Sequence, residues 1–178
     1  TASVATSGSD DASLYDTVSL TVANANVGGA LSLTSEGAIG QTVASQAVAL
    51  NATTTGGDIL LSNTGNAFAT AALSTLGTDD ATLYDANALT ISSANIGGTL
   101  ILSGGSTIGQ SGAIHAAALN VSTTHGAIVL TNAGNSFATV TVSTAGSDDA
   151  SLTDAAALIV ASANVGGTLT LSGAGAIS

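Results

Sequence analysis

The chain repeats itself at a fixed interval, with no insertion or deletion along its 178 residues. NVGG at Asn26 returns as NIGG at Asn95 and NVGG at Asn164, an interval of 69 (95 − 26 = 164 − 95). The same 69 separates GNAF at Gly65 from GNSF at Gly134, and Gln41 from Gln110. An acidic string returns with it: SDDASLYD from Ser9, TDDATLYD from Thr78 and SDDASLTD from Ser147. A strict period of this kind confines the fold to solenoids, propellers and arrays, in which each unit buries its apolar side against its neighbours. The units are residues 1–69, 70–138 and a partial 139–178, forming a single segment. Both ends fall inside a unit and no initiator Met is present. The segment is therefore expected to be an interior piece of a longer chain.

Within a unit the apolar pattern has period two, the mark of a strand. LTV at Leu20, LSL at Leu31, ILL at Ile59 and LTI at Leu89 are such stretches, separated by turn material such as GG, TGN and TSEG. No helical period with caps is present, so the expected class is all-β. Strand-bearing stretches begin near Leu20, Val48, Ala71 and Leu89, on average one third of the repeat interval apart. That spacing suits one coil of a parallel β-helix and predicts three coils per repeat, seven or eight in all. Propeller blades need about 40–45 residues and sharp hairpins, and no Asn-Gly or Asp-Gly hairpin signal occurs. Leu14, Leu83 and Leu152 align in the repeat, as do Val22, Ile91 and Val160, then Leu33, Leu102 and Leu171, and Phe68 with Phe137. These are the expected inward stacks, each side chain worth about 1.5–3 kcal/mol when buried.

Composition narrows the partners. The chain has no Lys and no Arg, ten Asp and one Glu, and a formal charge of −11. Nucleic acids and anionic membrane surfaces both require basic residues to displace counterions, so neither is an expected partner. Cations are the favoured electrostatic partners. With no Cys there is neither a disulfide framework nor a thiolate metal site. No apolar run approaches the roughly 18 residues that suggest a membrane span.

The elements DAxAL, GGxLxLS and LTNxGNxF, read along the stretch from Asp85 to Ser143, with GxIxQ at Gly37, resemble the repeats of filamentous-haemagglutinin-like exoproteins of Gram-negative bacteria. The resemblance extends over essentially the whole chain. It implies export by two-partner or related type V secretion and folding outside the cell as a right-handed parallel β-helix. It further implies a secreted or cell-surface fibre acting in adhesion, aggregation or biofilm structure.

The acidic clusters are the first candidates for a site: Asp10, Asp11 and Asp16, with their repeats Asp79, Asp80, Asp85 and Asp148, Asp149, Asp154. The preferred reading is that they bond backbone amides in turns at coil corners. The competing reading is a calcium site, since that ion takes several oxygen ligands, although the GGxGxDxUx pattern of calcium-binding β-rolls is absent. At three coils per repeat, successive clusters stand about 14 Å apart, beyond the Debye length of about 8 Å at physiological salt. His115 aligns with Gln46 and His125 with Gly56, so neither position demands imidazole. Asn26, Asn95 and Asn164 read as turn residues or ladder amides. NAT at Asn51 and NVS at Asn120 read as chance matches to the glycosylation pattern. Two Tyr and two Phe are too few for a glycan-binding platform, and Tyr15 and Tyr84 become Thr153. No catalytic, metal or cofactor-binding residue is assigned, and no enzymatic activity is expected. The expectation is a structural stalk or fibre body of an adhesin; the alternative is a self-assembling extracellular filament or sheath. The expected partners are neighbouring repeats of the same chain, with other copies joining laterally or end to end, without membrane insertion.

Overall fold

The computed structural model describes every residue from Thr1 to Ser178. The period-two pattern resolves into eighteen strands and no helix. They are β1 (Ala2–Ala5), β2 (Ala12–Asp16), β3 (Leu20–Asn26), β4 (Ala30–Ser35), β5 (Ile39–Gln41) and β6 (Ser45–Thr54). Then come β7 (Ile59–Leu61), β8 (Ala67–Ser74), β9 (Ala81–Asp85), β10 (Leu89–Asn95), β11 (Thr99–Gly104) and β12 (Ile108–Gln110). The last are β13 (Ile114–Thr123), β14 (Ile128–Leu130), β15 (Ser136–Thr144), β16 (Ala150–Asp154), β17 (Ile159–Asn164) and β18 (Leu169–Gly173). Each strand from β1 to β16 pairs with the strand two places further on, β3 and β10 also reach β6 and β13 with their last residues, and every pairing is parallel. The chain is a β-solenoid with two strands per coil, so eighteen strands make nine coils. At about 4.8 Å per coil the rod is roughly 43 Å long.

Two faces follow from that topology. On the first face Leu20, Ile39, Ile59, Ala81, Leu100, Leu119, Val140 and Val160 stack one upon the next along the axis. On the second face Ala12, Leu31, Leu50, Ala71 and Ile91 stack in the same way. The inward side chains of both faces meet in one core of 36 buried residues. Leu31, Leu83, Ile91 and Leu102 have no measurable exposure, and Phe68 and Phe137 are buried with them. Toward the ends of the rod, Leu14, Val160 and Leu171 are only half-buried.

The expected count of three coils per repeat is corrected by the register. Seven strands (β2 to β8, then β9 to β15) make up each repeat, which at two per coil is three and a half coils. The half coil changes the geometry of the whole rod. Leu20 lies in the first face, and its repeat equivalent Leu89 lies in the second, stacked on Ile108, Ile128, Ala150 and Leu169. Each unit is therefore turned half a revolution from the one before. Leu14, Leu83 and Leu152 all point inward, but they do not form one column. Leu14 stacks on Leu33, whereas Leu83 stacks between Leu61 and Leu102 on the other face.

Candidate functional site

The corners of the coils carry the acids, and their carboxylates are directed at backbone amides. Asp80 Oδ1 accepts the amide of Thr99 on the next coil at 2.6 Å, and Asp79 Oδ2 accepts that of Gly57 on the coil before at 2.7 Å. Asp149 and Asp148 repeat both bonds, to Thr168 and Gly126. Asp11 accepts the amide of Ala30. Asp58 extends the chain of contacts, its Oδ1 accepting the amide of Asp80 at 2.9 Å. The Asp79–Asp80 and Asp148–Asp149 pairs thus each tie three successive coils together, one carboxylate reaching back and one forward. A threonine completes the corner: Thr75 Oγ1 donates to the Asp79 carbonyl at 2.9 Å and accepts the amide of Gly97. Thr6 and Thr144 make the same pair of bonds. Recurrence at the repeat interval is the only trace this threonine leaves in the sequence.

The glycines of NVGG and NIGG belong to the same corner. A Cβ on Gly28 would lie 1.8 Å from the carbonyl oxygen of Gly8, and one on Gly97 would lie 1.8 Å from that of Gly77. Gly8, Gly77 and Gly146 take positive φ (63°, 68° and 61°), a backbone region that glycine enters without steric cost. Asn26, Asn95 and Asn164 stand at the last position of their strands with exposed side chains and no side-chain hydrogen bond. They are neither ladder amides nor the makers of the turn.

The third acid of each cluster lies deeper. Asp85 is buried in the wall, where Oδ2 accepts the amide of Phe68 at 2.6 Å and Oδ1 that of Asn87 at 2.8 Å. Asp154 does the same with Phe137 and Ala156. Burial raises the Asp85 carboxyl above its ordinary value of 3.8, opposed by the two amide bonds that favour the anion. Tyr15, on the surface, donates to Glu36 Oε1 at 2.6 Å; that bond, then burial and the neighbouring carboxylates, raise its phenol.

The ladder amide is found elsewhere. Asn66 is fully buried and interlocks with Gln41: Gln41 Nε2 donates to Asn66 Oδ1 at 2.8 Å, and Asn66 Nδ2 donates to Gln41 Oε1 at 2.9 Å. Asn66 also accepts the amide of Ser45 and donates to the carbonyls of Leu61 and Tyr84. Gln110 and Asn135 repeat the lock. Every buried side-chain polar atom has a partner.

No three acidic or imidazole groups converge on a common point. His115 sits exposed on β13, beside Asn95 and Ser136 on the adjoining coils, and His125 lies exposed in the turn before β14. Asn51 and Asn120 both point outward, on opposite faces. The acids that recur do not share one side of the rod either. Because of the half turn per unit, the Asp10–Asp11 and Asp148–Asp149 corners lie along one edge and the Asp79–Asp80 corner along the other.

Between those edges no acid occupies a mid-strand outward position, while Asp58 and Asp80 border the first face and Glu36 bonds the Tyr15 hydroxyl on the second. All eleven acids stand in corners or at the last position of a strand. The outward column of the first face runs Thr21, Gly40, Leu60, Thr82, Ile101, Asn120 and Thr141. On the second face it runs Ser13, Ser32, Asn51 and Ala72, and further along Thr90, Gly109, Val129, Ser151 and Thr170. Gly40 leaves a groove of about 390 Å³ in the first face, bordered by Leu60, Ile101 and Asp58. Asp58 and Asp80 both reach its border from the edge; the rest of the lining is apolar, glycine or hydroxyl-bearing.

No helix is long and apolar enough to cross a membrane. No curated protein and no solved structure matches the chain. A family model described as repeats of unknown function (DUF5649) matches it twice, over residues 9–75 and 78–144, the second copy beginning one repeat interval after the first. With about three quarters of its length matched in two tandem copies of the unit that builds the rod, the chain belongs to the DUF5649 repeat family.

Proposed function

We propose that this segment is the structural body of a fibre: the stalk of a large secreted or cell-surface adhesin of a Gram-negative bacterium, acting in attachment, aggregation or biofilm structure. One observation carries the reading. Each unit continues the coil of its neighbour in register, so repetition lengthens a rod while adding no convergent chemistry. The acids support it, because most of them have an oxygen engaged in tying coil to coil. The likeness of the GGxLxLS, GxIxQ and LTNxGNxF elements to filamentous-haemagglutinin-like repeats supports the exported setting and the adhesin role. In this reading the segment is not an enzyme and needs no cofactor.

A self-assembling extracellular filament is the second reading, favoured by two faces with no acid at a mid-strand position. Electron microscopy of native material tests the first: thin rods of constant width whose length grows by about 17 Å per unit, three and a half coils at about 4.8 Å. Deleting whole units from the parent chain should shorten its reach and weaken cell attachment while leaving export intact. Attachment that is indifferent to unit number would sink the stalk reading.

A further inference from the structure

We propose that the rods associate side by side, face against face, with a second copy of this chain as the partner. The inference rests on the rod reading above and names what a rod of this shape would bind. Charge placement selects the partner surface. A copy carrying −11 repels another copy wherever acids meet, and every acid lies along the two edges or at a strand end. The two broad faces can approach another copy with the fewest carboxylates brought together, those of Asp58 and Asp80 at the border of the first and of Glu36 beside Tyr15 on the second. Each face is a parallel sheet of mostly small residues, with Leu60 and Val129 as exposed apolar positions, 53% and 43% accessible. The area suffices: about 40 Å of rod by about 16 Å of strand is roughly 650 Å² per copy, or about 1,300 Å² per pair, above the roughly 1,000 Å² that specific interfaces need.

The half turn per repeat decides the form of the assembly. Leu60 on the first face and Val129 on the second are the same position of the repeat, and so are Asn120 on the first and Asn51 on the second. The rod thus presents nearly the same surface on both of its opposed sides. A contact made by one face is available again on the other, so the association does not close and gives open-ended stacks. Salt strengthens stacking, because it screens the acids, which stand at the corners and strand ends.

Sedimentation velocity across a concentration series tests this, on the chain as it stands and on variants that place like charges on the faces. Wild type should give species whose mean mass rises with concentration without a ceiling, and further at higher salt. Leu60→Glu with Asn120→Glu blocks the first face. That variant should stop at pairs if like faces meet, or remain single if unlike faces meet. Adding Asn51→Glu and Val129→Glu should leave single rods. Circular dichroism confirms the fold; if those variants unfold, Thr82→Glu and Ser32→Glu block the two faces in their place. The proposal is overturned if wild type stays single at every concentration, or if one-face variants still grow without limit. Stacks that dissolve in EDTA would also overturn it, since the contact would then be cations bridging the edges. Single rods of the expected length would refute this inference and leave the fibre reading standing; the absence of rods would remove both.

Discussion

Asp85 is a carboxylate held in the wall of the rod by the amides of Phe68 and Asn87. Asparagine can replace only one of the two acceptor oxygens, so Asp85→Asn leaves one buried amide unpaired. The expected loss is about 1–3 kcal/mol, read from chemical denaturation. The pH dependence has an unusual sign for a carboxylate. Burial raises the folded-state carboxyl above 3.8, so between that value and the raised one the native state binds more protons than the unfolded chain. The stability linked to this group is then fully present below 3.8 and is lost as pH rises through the raised value. Wild type should gain on Asp85→Asn as pH falls into that window. A gap between the two proteins that stays constant or narrows on acidification would contradict the assignment.

The corner, as an element, depends on glycine for two separate reasons: left-handed backbone at Gly77, and close approach of Gly97 to the Gly77 carbonyl. Gly97→Ala forces a methyl into backbone that has no flexible end to move aside. It should cost more than about 3 kcal/mol, comparable to a severe overpacking. Gly109→Ala is the control: its Cβ meets nothing within 4 Å and its φ is ordinary, so it should be neutral or gain up to about 1 kcal/mol. Thermal melts of the two proteins decide this; equal losses would refute the steric account.

The same corners show how much of the fold is legible in the sequence. The inward positions, the parallel coil and the Asp–amide bonding are legible, because alternation and the repeat interval report directly on which side chains share an environment. The number of coils is not. The three-residue β5 is too short to show alternation, β9, flanked by acids, resembles turn material, and counting coils from Leu20, Val48, Ala71 and Leu89 passes over β4 and β7, whose alternation is visible. Omitting them makes the apparent coil longer than the true one, and three of those longer coils fill a repeat that holds three and a half. The Gln41–Asn66 lock is hidden for another reason. Its partners lie on different coils, and periodicity reports that each recurs without saying that they meet.

At the scale of the molecule, three coils or three and a half per unit is the difference between a rod with one decorated side and a rod with two. Integer coils would align every acidic corner on one edge and every Tyr15-type position on one face. The half coil distributes them alternately, so like corners on one edge recur only every two units, or seven coils, about 34 Å. Like corners on one edge are thereby kept well beyond the Debye length of about 8 Å from one another, while the close neighbours Asp58 and Asp79–Asp80 on adjoining coils are bonded to backbone amides. The arrangement is measurable with pairs of spin labels. Labels at Tyr15 and Thr153 lie on the same face and should report a separation of about 34 Å along the axis, with little lateral offset. Labels at Tyr15 and Tyr84 lie on opposite faces, so their separation should combine an axial rise of roughly 17 Å with the full thickness of the rod. If the second pair instead reported about 14 Å, the units would be in phase, with three coils each. The equivalence of the two faces, and with it the open-ended stacking of rods, would then be lost.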